Sequence, residues 1–406
     1  MITDGKGVIS KGTILFGLLV IYTVSLMYWD YLVGSKIAFA LLIIGFLVLN
    51  NGMISLKHQP YIYIYSLFIL FFVVHTVLGF SRDNAVSWEA IKTLCLNLLI
   101  AVCCINILSD SRQKVEKYMK WYIISAILVC VYVVIVKRNS LFSGELTRDC
   151  IKLFSNQEYA HNDVPGYAVI ALFFIAYFLI EKRIGKKLGL AAIAFFMIFI
   201  ILSGARKSLI GALIAIVVYP YLYGSKRRSF SSKLLRICIV MLAMVAVYIA
   251  MIKIDYLYNI IGYKFQDVLI GLISGKFEET SSVSRNKMIT IGIELIKESP
   301  LVGYGLRAWS TWPGLIGSWS HNMLVELTFS GGICAALIYY SFFVIFFVQL
   351  KRYTMDDQLG SMLFCYMVFM IIHDMLSVSY LSRMVALIYC FGTAYLKIRR
   401  KELGIS

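Results

Sequence analysis

Apolar runs alternate with polar breaks along nearly the whole chain, and that alternation predicts its elements. A helix rises about 1.5 Å per residue, so crossing a hydrocarbon core of ~30 Å takes roughly 20 residues. Twelve runs approach that length: 13–29, 37–50, 61–80, 90–108, 118–136, 164–180, 188–204, 208–223, 234–254, 322–350, 360–377 and 383–398. Two breaks are long enough to hold function, one from about Lys137 to Asp163 and one from about Asp255 to Ser320. Inside the second, Met288, Ile289, Leu295 and Ile296 recur at helical spacing between Ser284 and Ser299, and Pro300 follows. That spacing predicts an amphipathic helix lying along a membrane surface or packed across a bundle. The predicted fold is an all-α polytopic membrane protein with about 12 transmembrane helices and a long outer loop containing an amphipathic helix. Residues 1–254 would hold spans one to nine, 255–320 the loop and 321–406 the last three spans, all in one integrated membrane domain.

Composition supports this reading. Of 406 residues, 60% are hydrophobic and 15% charged, with a mean hydropathy of +0.80. A soluble domain carries roughly one-quarter charged residues. The formal net charge of +17 raises the question of nucleic acid, but the lysines and arginines are dealt out among short loops instead of clustering on one polar face. They concentrate on the side that holds the N-terminus when the twelve runs are threaded alternately, and the carboxylates favour the other side. The positive-inside rule then predicts cytoplasmic termini and an outward-facing 255–320 loop. The nine cysteines lie almost all within apolar runs, with no CxxC pair or Cys/His metal spacing, and read as small packing residues. The first apolar run lacks a small-residue cleavage site, so a cleavable leader is not expected. No internal repeat of the kind that builds duplicated transporters is visible.

The candidate chemistry clusters in the outer breaks. Arg206 and Lys207 stand where two apolar runs meet, against the positive-inside trend. A cation at membrane depth costs at least ~2.5 kcal/mol, so an anionic partner is one economical explanation and a headgroup-snorkelling pair the other. A guanidinium fork suits two phosphate oxygens, and a helix starting at Ser208 would offer free N–H groups to the same anion. Arg285 opens the amphipathic segment, and Arg307 follows the turn-like Gly303-Tyr304-Gly305; each is a second phosphate clamp or an exposed loop charge. Trp309, Trp312 and Trp319 stand beside them as sugar-stacking faces or as an interfacial belt. His321 lies at the junction of loop and helix, where a mostly neutral imidazole can take a proton from an attacking hydroxyl. Asn322 caps that helix or orients the ring. Glu326, one turn deeper on the Asn322 face, needs a cationic or hydrogen-bonding partner, with Arg206 or Arg285 as candidates. Arg148 and His161-Asn162 in the first break, and His373-Asp374 and Arg383 around the last outer turn, are further candidates for the same cavity.

Three patches resemble the O-antigen ligase and polymerase superfamily, the Wzy-type polymerases and WaaL-type ligases. The first is Ser203-Gly204-Ala205-Arg206-Lys207-Ser208-Leu209. The second is Ser284-Arg285 followed by Ser299-Pro300-Leu301-Val302-Gly303-Tyr304-Gly305-Leu306. The third is His321-Asn322-Met323-Leu324-Val325-Glu326-Leu327 with Gly331-Gly332-Ile333. Val325 stands where the family usually has leucine, and the tract from Tyr304 to His321 does not align. The resemblance covers roughly 190–350; the N-terminal half resembles the family only in hydropathy and in the His161-Asn162 patch. It implies a GT-C-like glycosyltransferase of the bacterial cytoplasmic membrane, acting on its outer face without metal or other cofactor. Donor and acceptor would be undecaprenyl-pyrophosphate-linked glycans among membrane lipids, with a chain-length regulator as a further partner and no nucleic acid. Carried over by position, Arg206 and Arg285 would hold the donor pyrophosphate and His321 would activate the acceptor. Lys207, Arg307, Asn322, Glu326, Arg148 and His161 would contact substrate. The patches fit a polymerase of repeat units of O-antigen or capsule and equally a ligase to lipid A-core, the modest outer loops favouring the polymerase. A glycan flippase and a membrane scaffold are the rivals of another class.

Overall fold

A computed structural model describes residues 10–29, 33–50, 54–55, 59–136, 138, 150–151, 158–159, 163–224, 242, 245, 248–274, 280–315, 319–354 and 357–405. The helices are α1 (Lys11–Trp29), α2 (Val33–Leu49), α3 (Pro60–Val77), α4 (Asn84–Leu108), α5 (Arg112–Val136), α6 (Asp163–Ile180), α7 (Lys186–Leu202), α8 (Arg206–Leu213), α9 (Tyr219–Gly224), α10 (Tyr263–Ser274), α11 (Thr280–Glu298), α12 (Met323–Thr354), α13 (Gln358–Asp374) and α14 (Arg383–Glu402). A two-residue antiparallel pair, β1 (Cys150–Ile151) with β2 (Glu158–Tyr159), stands in the first polar break.

The burial pattern is that of a membrane protein. On α2, Ser35, Ala38, Leu42 and Phe46 are buried while Ile37, Leu41, Ile44 and Val48 are exposed, so both faces are apolar and one has no protein cover. Leu67, Leu70, Val74 and Val77 on α3, and Trp121, Ile124, Leu128 and Ile135 on α5, repeat the exposed stripe at helical spacing. Contiguous apolar stripes of this length are solvated by hydrocarbon. Among the described residues, six helices are long and apolar enough to cross a membrane: Lys11–Tyr28, Pro60–Val77, Asn84–Leu108, Arg112–Val136, Asp163–Ile180 and Met323–Thr354; Gly34–Leu49 and Gln358–Asp374 are shorter apolar helices.

The remaining expected spans differ in form. The run at 188–204 is the 17-residue α7, and 208–223 starts two residues early and is interrupted by a π turn at Ile214–Val218 between α8 and α9. The run at 234–254 falls largely outside the described residues. The expected 255–320 loop is mostly helical: Asp255–Leu257, a π turn at Tyr258–Gly262, α10, α11 and a 3-10 turn at Ala308–Thr311.

The chain divides into two compact units. One comprises Met1–Tyr122, Gly292–Tyr353 and Ser377–Ser406; the other Ile123–Ile291 and Thr354–Leu376. In the first, α4 packs against α3 and α14, and an aromatic core joins α3, α12 and α14. There the Phe342 ring lies 5.0 Å from both Tyr61 and Tyr389. In the second, α6 is buried on nearly every side among α7, α8 and α13. Phe173 of α6 meets Tyr366 of α13 edge-on at 5.4 Å. A Cβ on Gly211 of α8 would fall 2.6 Å from the Phe369 ring and 2.7 Å from a Val169 methyl, so a side chain there would have to displace both. Cys103, Cys104, Cys130, Cys365 and Cys390 are free and buried, as packing residues would be.

Candidate functional site

In the first unit, α12 is a broken helix. Gly331 (φ −140°, ψ 26°) and Gly332 (φ 65°, ψ −171°) leave helical geometry. A break at membrane depth frees backbone groups that need partners, and the segment Ser299–Gly305 supplies them. The amides of Tyr304 and Gly305 donate to the carbonyls of Phe329 (2.9 Å) and Ser330 (2.8 Å), and the Ile333 amide donates to Pro300 O (2.9 Å). The strap closes on itself where the Gly303 amide donates to the Ser299 hydroxyl at 3.1 Å. Glycine is required on both sides of the contact. A Cβ on Gly332 would stand 2.0 Å from Leu301 O, and one on Gly303 (φ 73°) 2.6 Å from Phe329 O. The strap is tied to the N-terminal helices as well. His75 Nε2 donates to Val302 O at 2.8 Å, the Arg82 amide to Tyr304 O at 2.8 Å and the Ser87 hydroxyl to Leu306 O at 3.0 Å.

The short first segment of α12 carries the predicted base at its start. Asn322 is its cap: Oδ1 accepts from the Val325 amide at 3.1 Å. His321, immediately before, has φ 57°, a left-handed conformation that costs a side-chain residue roughly 1–2 kcal/mol. Such strain at a partly exposed histidine fits a functional constraint. Glu326 is fully buried, and its Oε2 accepts from the Ser320 amide at 3.1 Å. The described hydrogen-bonding partner of the carboxylate is therefore Ser320, and not one of the candidate arginines. Its Oε1 and the Arg307 Nε are buried and meet no hydrogen-bond partner among the described protein atoms.

Arg307 also sits at positive φ, 61°. Its Nη1 is 3.7 Å from Glu89 Oε2 at the exposed end of α4, and its guanidinium stands 5.7 Å from the Trp319 ring centroid. Tyr380 lies beneath, its ring 6.5 Å from Trp319. Burial pushes the Tyr380 phenol well up, the Glu326 carboxylate pushes it further, and Arg307 opposes them; the hydroxyl stays protonated. The other two tryptophans are committed to packing. Trp309 is fully buried against Phe329, and Trp312 carries Arg82 at 4.1 Å with Tyr304 and Phe329 edge-on at 4.8 and 5.3 Å.

The second unit holds the other predicted cations. After the turn at Ser203–Ala205, Arg206 and Lys207 occupy the first turn of α8, and Arg206 Nη1 donates to Ser282 Oγ of α11 at 3.3 Å. Burial pushes the Lys207 ammonium from 10.5 down to about 8; Asp163 and Asp374 oppose the fall and Arg285 reinforces it. The starts of α6, α8 and α11 and the end of α13 thus meet in one charged cluster, in which His373 Nδ1 lies 3.8 Å from Asp374 Oδ1. Lys207 and Arg285 repel within it, beside the carboxylates of Asp163 and Asp374.

Sequence reasoning missed Tyr380, Ser320, Ser282 and the role of Asp163. The first three are polar residues without a motif, and Asp163 adjoins the His161-Asn162 patch. Arg148 and His161 lie outside the described residues. Arg206, Lys207 and Arg285 belong to one unit, and Arg307, His321, Asn322 and Glu326 to the other.

No curated protein matches the chain. Residues 188–340 match the family model Wzy_C, described as O-antigen ligase. The matched segment runs from α7 to the middle of α12 and contains Arg206, Lys207, Arg285, Arg307, His321, Asn322, Glu326 and the Gly331–Gly332 break. Over this segment the chain, a multi-helix membrane protein, is similar to the O-antigen ligase family.

Proposed function

We propose that the protein polymerises undecaprenyl-pyrophosphate-linked oligosaccharide repeat units into a surface polysaccharide, O-antigen or capsule, on the outer face of the bacterial cytoplasmic membrane. The observation that carries this reading is the O-antigen ligase domain, which brackets a charged cluster with two arginines in one unit and a strained histidine at a capped helix start in the other. On this reading Arg206 and Arg285 hold the donor pyrophosphate, with Lys207 adding charge. His321 takes the proton from an acceptor hydroxyl. The hydroxyl oxygen bonds to the anomeric carbon as the bond to the pyrophosphate oxygen breaks, and the electron pair leaves on a phosphate that the arginines neutralise. A single displacement needs no metal and inverts the anomeric centre. Arg148, His161, Asn322 and Glu326 are proposed to line the substrate path, beside a chain-length regulator as partner.

A ligase would use the same donor clamp and base with lipid A-core as acceptor. Purified protein in liposomes with lipid-linked repeat units alone decides between them by glycan ladder on a gel. A ladder that His321→Ala and Arg206→Ala abolish supports the polymerase. Product only when lipid A-core is added converts the reading to a ligase, and no bond formation with either acceptor refutes glycosyl transfer.

A further inference from the structure

The charged cluster accounts for a donor but leaves the acceptor without a recognition surface. We infer that Trp319, Arg307, Tyr380 and Glu326 form a sugar-binding subsite for the acceptor glycan next to His321, an inference that rests on the glycosyl-transfer reading for its name but not for its geometry.

Three observations carry it. Trp319 is the least committed of the three neighbouring indoles. The cation over its ring stands 5.7 Å away against 4.1 Å at Trp312, it has Tyr380 edge-on at 6.5 Å, and it is partly exposed. A flat aromatic face of that kind takes the C–H face of a pyranose ring. Next, the polar groups around it are incomplete. Arg307 Nε is a buried donor and Glu326 Oε1 a buried acceptor, neither with a hydrogen-bond partner among the described protein atoms. Burying such groups unpaired is costly. Sugar hydroxyls donate and accept at once and can satisfy both. Finally, one set of backbone contacts holds the subsite and His321 together. Glu326 grips the Ser320 amide between Trp319 and His321, and Tyr380 lies within electrostatic reach of both Glu326 and Arg307. The mouth is open, since the Arg307 side chain is 35% exposed and Glu89 beyond it 71%. The ligand class is a pyranoside with one apolar face and adjacent hydroxyls.

The test uses full-length protein in detergent and, as probe, the repeat-unit oligosaccharide released by mild acid from the host's lipid-linked intermediates. Trp319→Ala should raise the calorimetric Kd for this oligosaccharide about 10-fold or more, and Trp319→Phe should stay within about 3-fold of wild type, since a smaller ring still stacks. In transfer assays Trp319→Ala should raise the acceptor KM in parallel and leave kcat at saturating acceptor within about 3-fold, the signature of lost ground-state binding. Tyr380→Phe, which keeps the packing, should raise Kd about 5-fold and decides the matter if Trp319→Ala does not fold. Unchanged Kd in these variants, or a fall in kcat at constant KM, overturns the subsite. Binding with the expected variant pattern by a protein that transfers nothing upholds the subsite and refutes the glycosyl-transfer reading instead.

Discussion

Replacing Gly332 by alanine tests whether the break in α12 and the strap beneath it are one structural device. At φ 65°, ψ −171° the backbone lies in a region nearly reserved for glycine, and forcing a side chain there costs about 1–3 kcal/mol. The new Cβ would also stand 2.0 Å from Leu301 O and 2.2 Å from its carbon. Those are backbone atoms that no rotamer change can move, so the strap itself must retreat. Retreat weakens the three bonds from Tyr304, Gly305 and Ile333 to the opposite segment, each worth roughly 0.5–1.5 kcal/mol. The sum is about 3–7 kcal/mol. Gly314→Ala is the internal control, because Gly314 has φ 78° but no atom within 4 Å of its Cβ position; it should lose only about 1–2 kcal/mol. At roughly 2 °C per kcal/mol for a chain of this size, scanning fluorimetry in detergent should read a Tm drop of ~6–14 °C against ~2–4 °C. Equal drops for the two variants would refute the argument, since both sit at positive φ and only Gly332 meets the strap.

Four more outcomes follow from the site. With Lys207 at about 8, its charge is lost as pH rises through 8, so affinity for inorganic pyrophosphate should weaken from pH 7 to 9 in wild type and much less in Lys207→Arg; superimposable calorimetric profiles would refute its role. Because its folded value lies below the ordinary 10.5, folding disfavours the ammonium, and stability should rise with pH between about 8 and 10.5. Glu326→Gln keeps an acceptor for the Ser320 amide and should cost under about 1 kcal/mol, whereas Glu326→Ala orphans that amide and opens a cavity at about 2–4 kcal/mol, both read by thermal unfolding. His321→Gly should abolish product while raising stability by up to about 1 kcal/mol, because glycine relieves the left-handed backbone; a destabilised His321→Gly would show that the ring packs structurally.

Much of the fold was legible because hydrocarbon demands long apolar helices. The runs at 61–80, 90–108, 118–136 and 164–180 became α3 to α6, with α4 and α5 starting six residues early, and the amphipathic spacing before Pro300 became α11. The double glycine at 331–332 read only as a step, since nothing local distinguishes a tolerated glycine pair from a break whose partners lie about 30 residues upstream. The cap at Asn322 was legible from residue type and position. The left-handed His321 beside it was not, because it depends on how Glu326 holds Ser320 from within the helix. Lys207 acquires its lowered pKa from Asp163, Arg285 and Asp374, groups that only tertiary packing brings to it.

The first unit is assembled from three separated stretches of chain, and this sets an order on biosynthesis. α4 leaves the ribosome early, yet one of the helices that covers it, α14, is among the last to be made. Asn97, fully buried in α4, donates to Leu381 O at 3.3 Å, a group synthesised 284 residues later. Tyr65 of α3, made earlier, also bonds the Asn97 side chain, so the amide lacks its second partner until Leu381 emerges, and an incompletely satisfied amide in hydrocarbon is costly. A ribosome that stops before Leu381 therefore releases a chain with nearly every span inserted but a polar notch open on its flank, a form that membrane quality control can recognise.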